Sequence, residues 1–237
     1  SDDLEKEYRR RTGRDIRQWM PLLIDEDLEG LWAKARWDWF DALSELYASN
    51  LFAGLTRWAE GRGMYTISQF WEESLWWQAA GVGDPFRVNR AHSMPGVDCF
   101  GLNCLNPHDF KEVQSVSEFE GRRFMCETFS VGGWHFSPVM MKKGLNSTTA
   151  WGVGHNEYHA AYLSPSTPDI RYPPSFFDSS PYWRDFRRLA DFNRRVNYIN
   201  SCGHAAPDVL LVSPLDSVWS LVGGSFFDKG RPVRGIW

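Results

Sequence analysis

The sequence lacks the patterns that would assign a function at sight. No run of about 18 apolar residues is present, so the sequence predicts no membrane span. The glycine-rich segment 81–85 lacks the Gly-Lys-Ser/Thr of a phosphate-binding loop, and no G-x-G-x-x-G follows the first predicted strand. The formal net charge of −4 gives no electrostatic reason to expect nucleic acid as a partner. Dinucleotide-binding, nucleic-acid-binding and membrane-spanning functions are therefore disfavoured.

Cysteine is scarce and internal repeats are absent. The cysteines are Cys99, Cys104, Cys126 and Cys202. None of them forms a C-x-x-C pair, so a zinc site is disfavoured and the redox compartment stays open. No low-complexity linker divides the 237 residues, which predicts a single catalytic-type domain over residues 1–237. Because the chain starts at Ser1 without an initiator methionine, we also expect an upstream portion.

Aromatic residues are abundant, with 13 Trp, 16 Phe and 8 Tyr. Flat aromatic faces stack on sugar rings or bases, but the same side chains also fill protein cores. Trp134 is a candidate platform for the apolar face of a sugar, whereas core packing is favoured for Trp151 because it lies inside a predicted strand.

Hydrophobic periodicity predicts helices, and short apolar runs predict strands. The helices are expected over 3–11, 28–58, 110–119, 137–143 and 183–199. The strands are expected near 64–70, 87–92, 122–126, 148–153 and 208–213. Such alternation predicts an α/β fold with a parallel sheet and right-handed crossovers. Because a full eight-stranded barrel takes ~250 residues, the predicted fold is a (β/α)8 (TIM) barrel of which this chain holds only the later strands and helices.

Acidic and imidazole side chains follow two of the predicted strands. Glu127 comes directly after the apolar run 124–126, and His155, Asn156 and His159 follow the next strand. In parallel α/β architectures the carboxyl ends of the strands are where chemistry is usually placed. We therefore expect a site here, with Asn156 and the two histidines as groups that bind sugar hydroxyls. The alternative is that each histidine satisfies a local hydrogen-bond network and Glu127 is a surface carboxylate.

Four carboxylates follow predicted strands and are expected to converge at one barrel mouth. They are Glu73, Asp98, Glu127 and Glu157. Inverting glycosidases need two carboxyl groups roughly 6.5–9.5 Å apart, so that a water fits between them. Glu127 is the first member of such a pair, with Glu73 as the preferred partner and Glu157 as the second choice. Asp98 is predicted to accept from a sugar hydroxyl or to bind a cation, unless it only caps the next segment.

A series of short motifs, taken in order, resembles glycoside hydrolase family 106, the α-L-rhamnosidases. The motifs are Met94-Pro95-Gly96-Val97-Asp98, Cys126-Glu127-Thr128-Phe129, Gly133-Trp134, Gly152-Val153-Gly154-His155-Asn156, His159, Tyr162-Leu163-Ser164, Pro173-Pro174-Ser175, Tyr182-Trp183 and 209–214 with Trp219. The resemblance covers roughly residues 8 to 219. It implies a (β/α)8 catalytic barrel, inverting hydrolysis of terminal α-L-rhamnosides, a calcium ion near the sugar and a secreted or periplasmic location.

The sequence departs from the family pattern at one place and leaves other functions open. Where a histidine is expected before the early acidic residue, residues 69–71 read Gln-Phe-Trp ahead of Glu72 and Glu73, so which glutamate is functional there stays open. A non-catalytic carbohydrate-binding protein on the same scaffold is one alternative. A metal-assisted hydrolase is another, although Gly154 and the strand context argue against a zincin helix. Metal ligands and oligomeric state are not predicted.

Overall fold

The computed structural model describes residues 2–26, 29–70, 74–102, 107–162, 172–176 and 180–223 of the chain. The backbone contacts divide the chain into two compact units. One unit comprises Ser1–Met64, Phe70–His92 and Val209–Trp237, and the other comprises Tyr65–Gln69 and Ser93–Asp208. In these described ranges no helix is long and apolar enough to cross a membrane. The single domain over 1–237 stays a prediction.

The first unit is helical throughout its described residues. Its helices are α1 (Asp2–Thr12), α2 (Ile16–Trp19), α3 (Pro21–Ile24), α4 (Leu31–Leu46), α5 (Ala53–Glu60), α6 (Leu75–Val82), α7 (Pro85–Arg90) and α11 (Leu215–Leu221), with a π-helical turn at Tyr47–Phe52 between α4 and α5. Apolar side chains of α4, α6 and α11 form its main core around Phe40, Trp76 and Trp219. The periodicity that predicted α1 and the long helix ending before Gly61 is confirmed.

The second unit holds a three-stranded parallel sheet. Its strands are β1 (Gly96–Cys99), β2 (Met125–Thr128) and β3 (His155–Tyr158), in the spatial order β1-β2-β3. Its helices are α8 (Pro107–Glu120), α9 (Pro138–Ala150) and α10 (Phe186–Ser201), the last preceded by a 3-10 turn at Trp183–Asp185. Helix α8 connects β1 to β2 and helix α9 connects β2 to β3, as parallel pairing requires. The predicted helices at 110–119 and from Trp183 are confirmed, and α9 begins at Pro138 as expected.

Residues 66–68 run alongside the start of β1. Ile67 forms an isolated parallel bridge with Met94. The amide of Met94 donates to the Thr66 carbonyl (3.0 Å), and the amide of Ser68 donates to the Met94 carbonyl (3.3 Å). The predicted strand at 64–70 is therefore present only as this short extended segment. It nevertheless brings Gln69 to the edge of the sheet where β1 lies.

The predicted (β/α)8 barrel is wrong. In the described residues the sheet has three strands, and helices make up most of the rest of the fold. The segment 87–92 lies in α7 and the turn after it, because Asp84 caps that helix by accepting from the Arg87 amide (3.0 Å) and Pro85 occupies its first turn. The segment 148–153 is the end of α9 and the turn after it, and the strand begins only at His155. The segment 208–213 forms no strand and is exposed.

All of these errors fall on short segments. A run of four to six apolar residues fits a buried strand and a buried helix segment equally well, so periodicity alone does not separate them. The segment at 148–153 illustrates the point, because its β-branched threonines favour a strand by propensity. Thr148 nevertheless completes a helical turn, since its hydroxyl donates to the Leu145 carbonyl at 3.1 Å.

Gly96 is expected to be essential for stability because two groups occupy the space where a side chain would lie. A Cβ at this position would overlap Met125 Sδ and the backbone oxygen of Ser68. We expect Gly96→Ala to lower the free energy of unfolding by about 1–3 kcal/mol, the usual cost of overpacking a core. Urea unfolding followed by circular dichroism measures the change. Gly203→Ala is the control, because nothing lies within 4 Å of its position, and an equal loss in both variants would contradict the assignment.

Candidate functional site

Three carboxylates form a row across the sheet. Asp98 of β1 is the register partner of Glu127 of β2, and Glu127 is the register partner of Glu157 of β3. Side chains at one register level point to the same face, and neighbouring strands lie about 4.8 Å apart. The carboxylate row therefore consists of Asp98, Glu127 and Glu157 side by side on one face of the sheet. This convergence of three of the four predicted carboxylates follows from the register alone.

Polar side chains from other segments contact the carboxylate row. Ser130 Oγ donates to Asp98 Oδ1 (3.3 Å), and the side chain of Gln69 hydrogen-bonds to the Glu127 carboxylate. The two predicted histidines also lie here. His155 Nε2 is 3.3 Å from Glu157 Oε2, and His159 Nε2 is 3.9 Å from Glu127 Oε1. Sequence reasoning identified both histidines as site residues but missed Ser130 and a role for Gln69 itself.

The row perturbs the proton affinity of its members. Burial and the negative charge of Glu127 raise the pKa of Asp98 to about 6. Burial, and then the negative charge of Glu157, raise the pKa of Glu127, while the hydrogen bond from Gln69 opposes the rise. Burial lowers the pKa of His159, which favours its neutral form. A carboxyl group held partly protonated beside an exposed carboxylate is the arrangement that general acid–base chemistry uses.

Two tyrosines flank His159. The rings of Tyr162 and Tyr172 meet its imidazole edge-on, with centroids 6.1 and 6.5 Å away. The Tyr162 hydroxyl donates to the Tyr172 carbonyl (3.1 Å), and burial together with the charge of Glu127 raises the Tyr162 pKa. The row is thus bordered by aromatic surface. Tyr162 belongs to one of the family-like motifs, whereas no local pattern marks Tyr172 within its proline-rich segment.

The turn after β2 has unusual backbone geometry. Phe129 and Val131 adopt positive φ angles of 81° and 59°. Such conformations cost non-glycine residues of order 1–3 kcal/mol and are concentrated at functional sites. Phe129 is fully buried among aromatic rings, which holds the turn in place. The turn directs Ser130 back to Asp98, so the strained backbone contributes directly to the carboxylate row.

Of the other residues singled out from the sequence, Asn156 and Trp151 are held by contacts elsewhere in the fold. Asn156 is on the opposite face of β3 and is buried, donating to Thr148 Oγ1 (3.0 Å) and accepting from Asn197 (3.1 Å). Trp134 lies in the β2–α9 connection with 57% of its surface exposed. Glu73 lies outside the described residues, so its pairing with Glu127 stays a prediction. Trp151 stacks on Phe110 with a centroid distance of 5.8 Å, which confirms it as a packing residue.

The described residues give no support for a metal centre. Within them, no group of three or more His, Cys, Asp or Glu side chains is arranged to hold a metal ion. The calcium ion implied by the family resemblance therefore has no ligand set here and stays a prediction. The same finding gives the metal-assisted hydrolase no structural basis in the described part of the chain. Cys99 is disulfide-bonded, whereas Cys126 and Cys202 carry thiol groups.

We expect the raised pKa of Asp98 to appear in the pH dependence of stability. Between its ordinary pKa of about 3.9 and its folded value of about 6, the folded protein holds a proton that the unfolded chain has released. The free energy of unfolding contributed by this group is therefore present at low pH and lost as the pH rises through that window. Asp98→Asn should remove this loss and so be more stable relative to wild type at pH 7 than at pH 4.

Urea unfolding at pH values from 4 to 7 measures this difference. Asp208→Asn is the matched control, because Asp208 is an exposed aspartate of the same unit. An Asp98→Asn variant whose stability follows the wild-type pH profile would show that Asp98 ionises normally in the folded protein.

Comparison with known proteins supports a fold but no family. No family model matches the chain, and no curated protein matches it. A solved structure, the rhamnosidase from Novosphingobium sp. PP1Y, is similar with a TM-score of 0.67 and 16% sequence identity over 86% of this chain. The similar region is 21% of that chain, so this chain spans about a fifth of the rhamnosidase. At this identity the likeness establishes a shared fold, and membership of glycoside hydrolase family 106 is not confirmed.

Proposed function

We propose that the carboxylate row is the catalytic centre of a glycoside hydrolase that cleaves terminal α-L-rhamnose or a similar deoxy-sugar. The observation that carries this proposal is the register of Glu127 with Glu157 on one side and with Asp98 on the other. Glycoside hydrolysis requires two carboxyl groups on one surface, one protonated and one ionised. A row in which the pKa values of Asp98 and Glu127 are raised, beside aromatic rings, meets that requirement.

The environments of Glu127 and Glu157 suggest different roles. Burial and the neighbouring charge raise the pKa of Glu127, so it retains a proton closer to neutral pH and serves as the general acid for the leaving oxygen. The Glu157 side chain is 56% exposed and lies 3.3 Å from His155 Nε2. A solvated carboxylate next to an imidazole is suited to activate a water molecule as the general base. Glu73 remains the alternative partner, and its test is described below.

Asp98 and the residues around His159 are assigned to the sugar. Asp98, held by Ser130, accepts hydrogen bonds from sugar hydroxyls whenever it is ionised. Neutral His159 both donates and accepts, which suits a hydroxyl group. The rings of Tyr162 and Tyr172 supply apolar surface, and a 6-deoxy sugar presents a methyl group that such surface favours. The similarity in fold to a rhamnosidase supports the same substrate class.

A carbohydrate-binding protein without catalysis is the second candidate. The aromatic rings around His159 and the exposed Trp134 offer a sugar-binding surface that needs no proton transfer. On this hypothesis a variant at Glu127 changes affinity only. Measurements of turnover and of binding on the same proteins therefore separate the two functions.

We expect Glu127→Gln to abolish most glycosidase turnover while leaving binding intact. The amide keeps the shape and hydrogen-bonding capacity of the side chain but cannot transfer a proton, so kcat on an aryl α-L-rhamnoside should fall at least ~10²-fold. The full-length gene product is assayed on this substrate and on a panel of other aryl glycosides. Proton NMR of the released sugar identifies the anomer. The inverted anomer is expected if the two catalytic carboxyl groups lie roughly 6.5–9.5 Å apart, and the retained anomer if they lie about 5–5.5 Å apart.

Two controls sharpen the assay. Glu118→Gln makes the same chemical change on the exposed face of α8 and should leave turnover unchanged. Glu157→Gln and Glu73→Gln are assayed in the same way. The second catalytic carboxyl group is the one whose variant also reduces kcat. Equal turnover by wild type and Glu127→Gln would remove Glu127 from the mechanism, and sugar binding without hydrolysis of any glycoside would establish the binding protein.

A further inference from the structure

Helix α10 presents asparagine side chains to the back of β3. Asn193, Asn197 and Asn200 recur at the spacing of one helix face. Asn193 Nδ2 donates to the Tyr158 hydroxyl (2.6 Å), and Asn197 Nδ2 donates to Asn156 Oδ1 (3.1 Å). Asn200 Nδ2 donates to the carbonyls that precede the strand, Thr149 O (2.8 Å) and Val153 O (3.1 Å). We call these three residues the asparagine stripe.

Within β3, the asparagine stripe bonds to Asn156 and Tyr158. These two residues alternate along the strand with His155 and Glu157, which belong to the candidate site. Asn156 and Tyr158 face α10, so His155 and Glu157 face the carboxylate row. Sliding the strand by one residue would exchange the two pairs between the faces. A hydrogen bond that fixes Asn156 therefore fixes which face Glu157 occupies and how it is directed.

The central bond continues into a buried chain. Asn156 Nδ2 donates to Thr148 Oγ1 (3.0 Å), and that hydroxyl donates to the Leu145 carbonyl (3.1 Å). Asn197, Asn156 and Thr148 are all buried. A group of this chain left without its partner would keep the cost of desolvation and lose the bond that offsets it. The chain links α10, β3 and α9 through directional bonds, which fix orientation more strictly than apolar contacts do.

Apolar packing between α10 and the rest of the unit accompanies these bonds, and the Tyr158 ring takes part in it with its centroid 5.5 Å from that of Phe186. Phe186, Leu189 and Phe192 of α10 pack against the core around Phe129 and Phe176. That contact would hold the helix in place without buried amides behind β3. The asparagine stripe is therefore an addition to the hydrophobic contact, placed where β3 carries the site.

We propose that Asn197, acting through Asn156, is a positioning residue that holds Glu157 and His155 beside Glu127. Its catalytic consequence rests on the proposed glycosidase function. Its structural consequence is the distance between the Glu127 and Glu157 carboxylates, and the effect of that distance is measurable without any substrate. Asn197 does not touch the carboxylate row, so its effect is transmitted through the strand.

The direct test compares Asn197→Leu with Asn146→Leu in the same protein. Leucine has the same number and branching of side-chain heavy atoms as asparagine but makes no hydrogen bond, and Asn146 is an exposed asparagine on α9. The readout is a carbon-13 NMR titration of the Glu127 carboxyl group. The titratable groups that face this carboxyl are Asp98 on β1, Glu157 on β3, and His159 and Tyr162 in the loop after β3. Part of the raised pKa of Glu127 comes from the charge of Glu157.

If Asn197 positions Glu157, Asn197→Leu should lower the pKa of Glu127 toward the value found in Glu157→Gln, and Asn146→Leu should leave it at the wild-type value. In the full-length gene product, kcat on an aryl α-L-rhamnoside should fall by up to ~10²-fold with little change in KM, because small displacements of a catalytic group have effects of that size. A loss of stability alone would lower the urea midpoint without moving this pKa.

Further outcomes separate this proposal from the proposed function. An Asn197→Leu variant that folds and titrates like wild type, while Glu157→Gln shifts Glu127, overturns the positioning role. Should Asn197→Leu fail to fold, Thr148→Val removes the acceptor at the other end of Asn156 and must shift Glu127 in the same direction, or the proposal fails. If the wild type hydrolyses no glycoside but Asn197→Leu still lowers the pKa of Glu127, the glycosidase function is refuted and the positioning role of Asn197 is retained.

Discussion

The parallel register of β1, β2 and β3 is the constraint on which the site depends. Asp98, Glu127 and Glu157 come from strands nearly 30 residues apart in sequence, yet the register places them at one level. The separation of their Cα atoms is then set by the spacing of about 4.8 Å between neighbouring strands and not by loop conformation. Slipping any one strand by a single residue would turn its carboxylate to the other face. The geometry of the row is therefore only as secure as the strand pairing itself.

Two features outside the ladder hydrogen bonds secure that pairing. On the face that carries the row, Gly96 admits the Met125 side chain and the Ser68 carbonyl where a larger residue would push them away. On the opposite face, Asn197 and Asn193 hold Asn156 and Tyr158. One feature works by the absence of a side chain, and the other works by directional bonds. Both act on strands of four residues, whose few ladder bonds leave register weakly specified.

The row is electrostatically unfavourable, and its surroundings reduce that cost only in part. Like charges on neighbouring strands destabilise a sheet, and burial adds to the penalty. In the described part of the chain, Glu127 and Glu157 have histidines as their ionic partners, and these neutralise charge only when protonated. The strained turn at Phe129 adds a further cost next to Asp98. Unfavourable charge and strain at one place are typical of sites retained for function.

Periodicity predicted the longer helices, because patterns such as 110–119 and 183–199 have few alternatives, and it missed the short helices α6, α7 and α11. Short segments were less predictable. Asp84 followed by Pro85 is a helix start, and that signal would have corrected the strand expected at 87–92. The apolar run at 208–213 lacked any sign that its side chains would stay exposed, as Leu210 does at 85%. Hydrophobicity reports that a segment can be buried, and tertiary packing decides whether it is.

The part of the candidate site that could be predicted from the sequence consists of residues that directly follow a predicted strand. Glu127 was recognisable because three apolar residues precede it, and Asp98 and Glu157 because they lie at the ends of short segments. Gln69, Ser130 and Tyr172 were not, because each comes from a separate segment and meets the row only through the tertiary fold. The same limit applies to Asn197, which is 41 residues from its partner Asn156. Contacts of this range leave no mark in local composition.

β3 shows why the strand carrying Glu157 was placed too early in the sequence. Its four residues, His155–Tyr158, are all polar or hydroxylated, and strands are ordinarily recognised by alternation of apolar with polar residues. The side chains of β3 do alternate between the two faces of the sheet, but the residues on both faces are polar or hydroxylated. One face carries His155 and Glu157 to the carboxylate row, and the other offers Asn156 and Tyr158 to the asparagine stripe. On the back face Asn156 and Tyr158 have polar partners in helix α10, and the Tyr158 ring also packs against Phe129 and Phe176. The front face is the partly exposed candidate site, so the segment carries none of the apolar alternation by which a strand is recognised in a sequence.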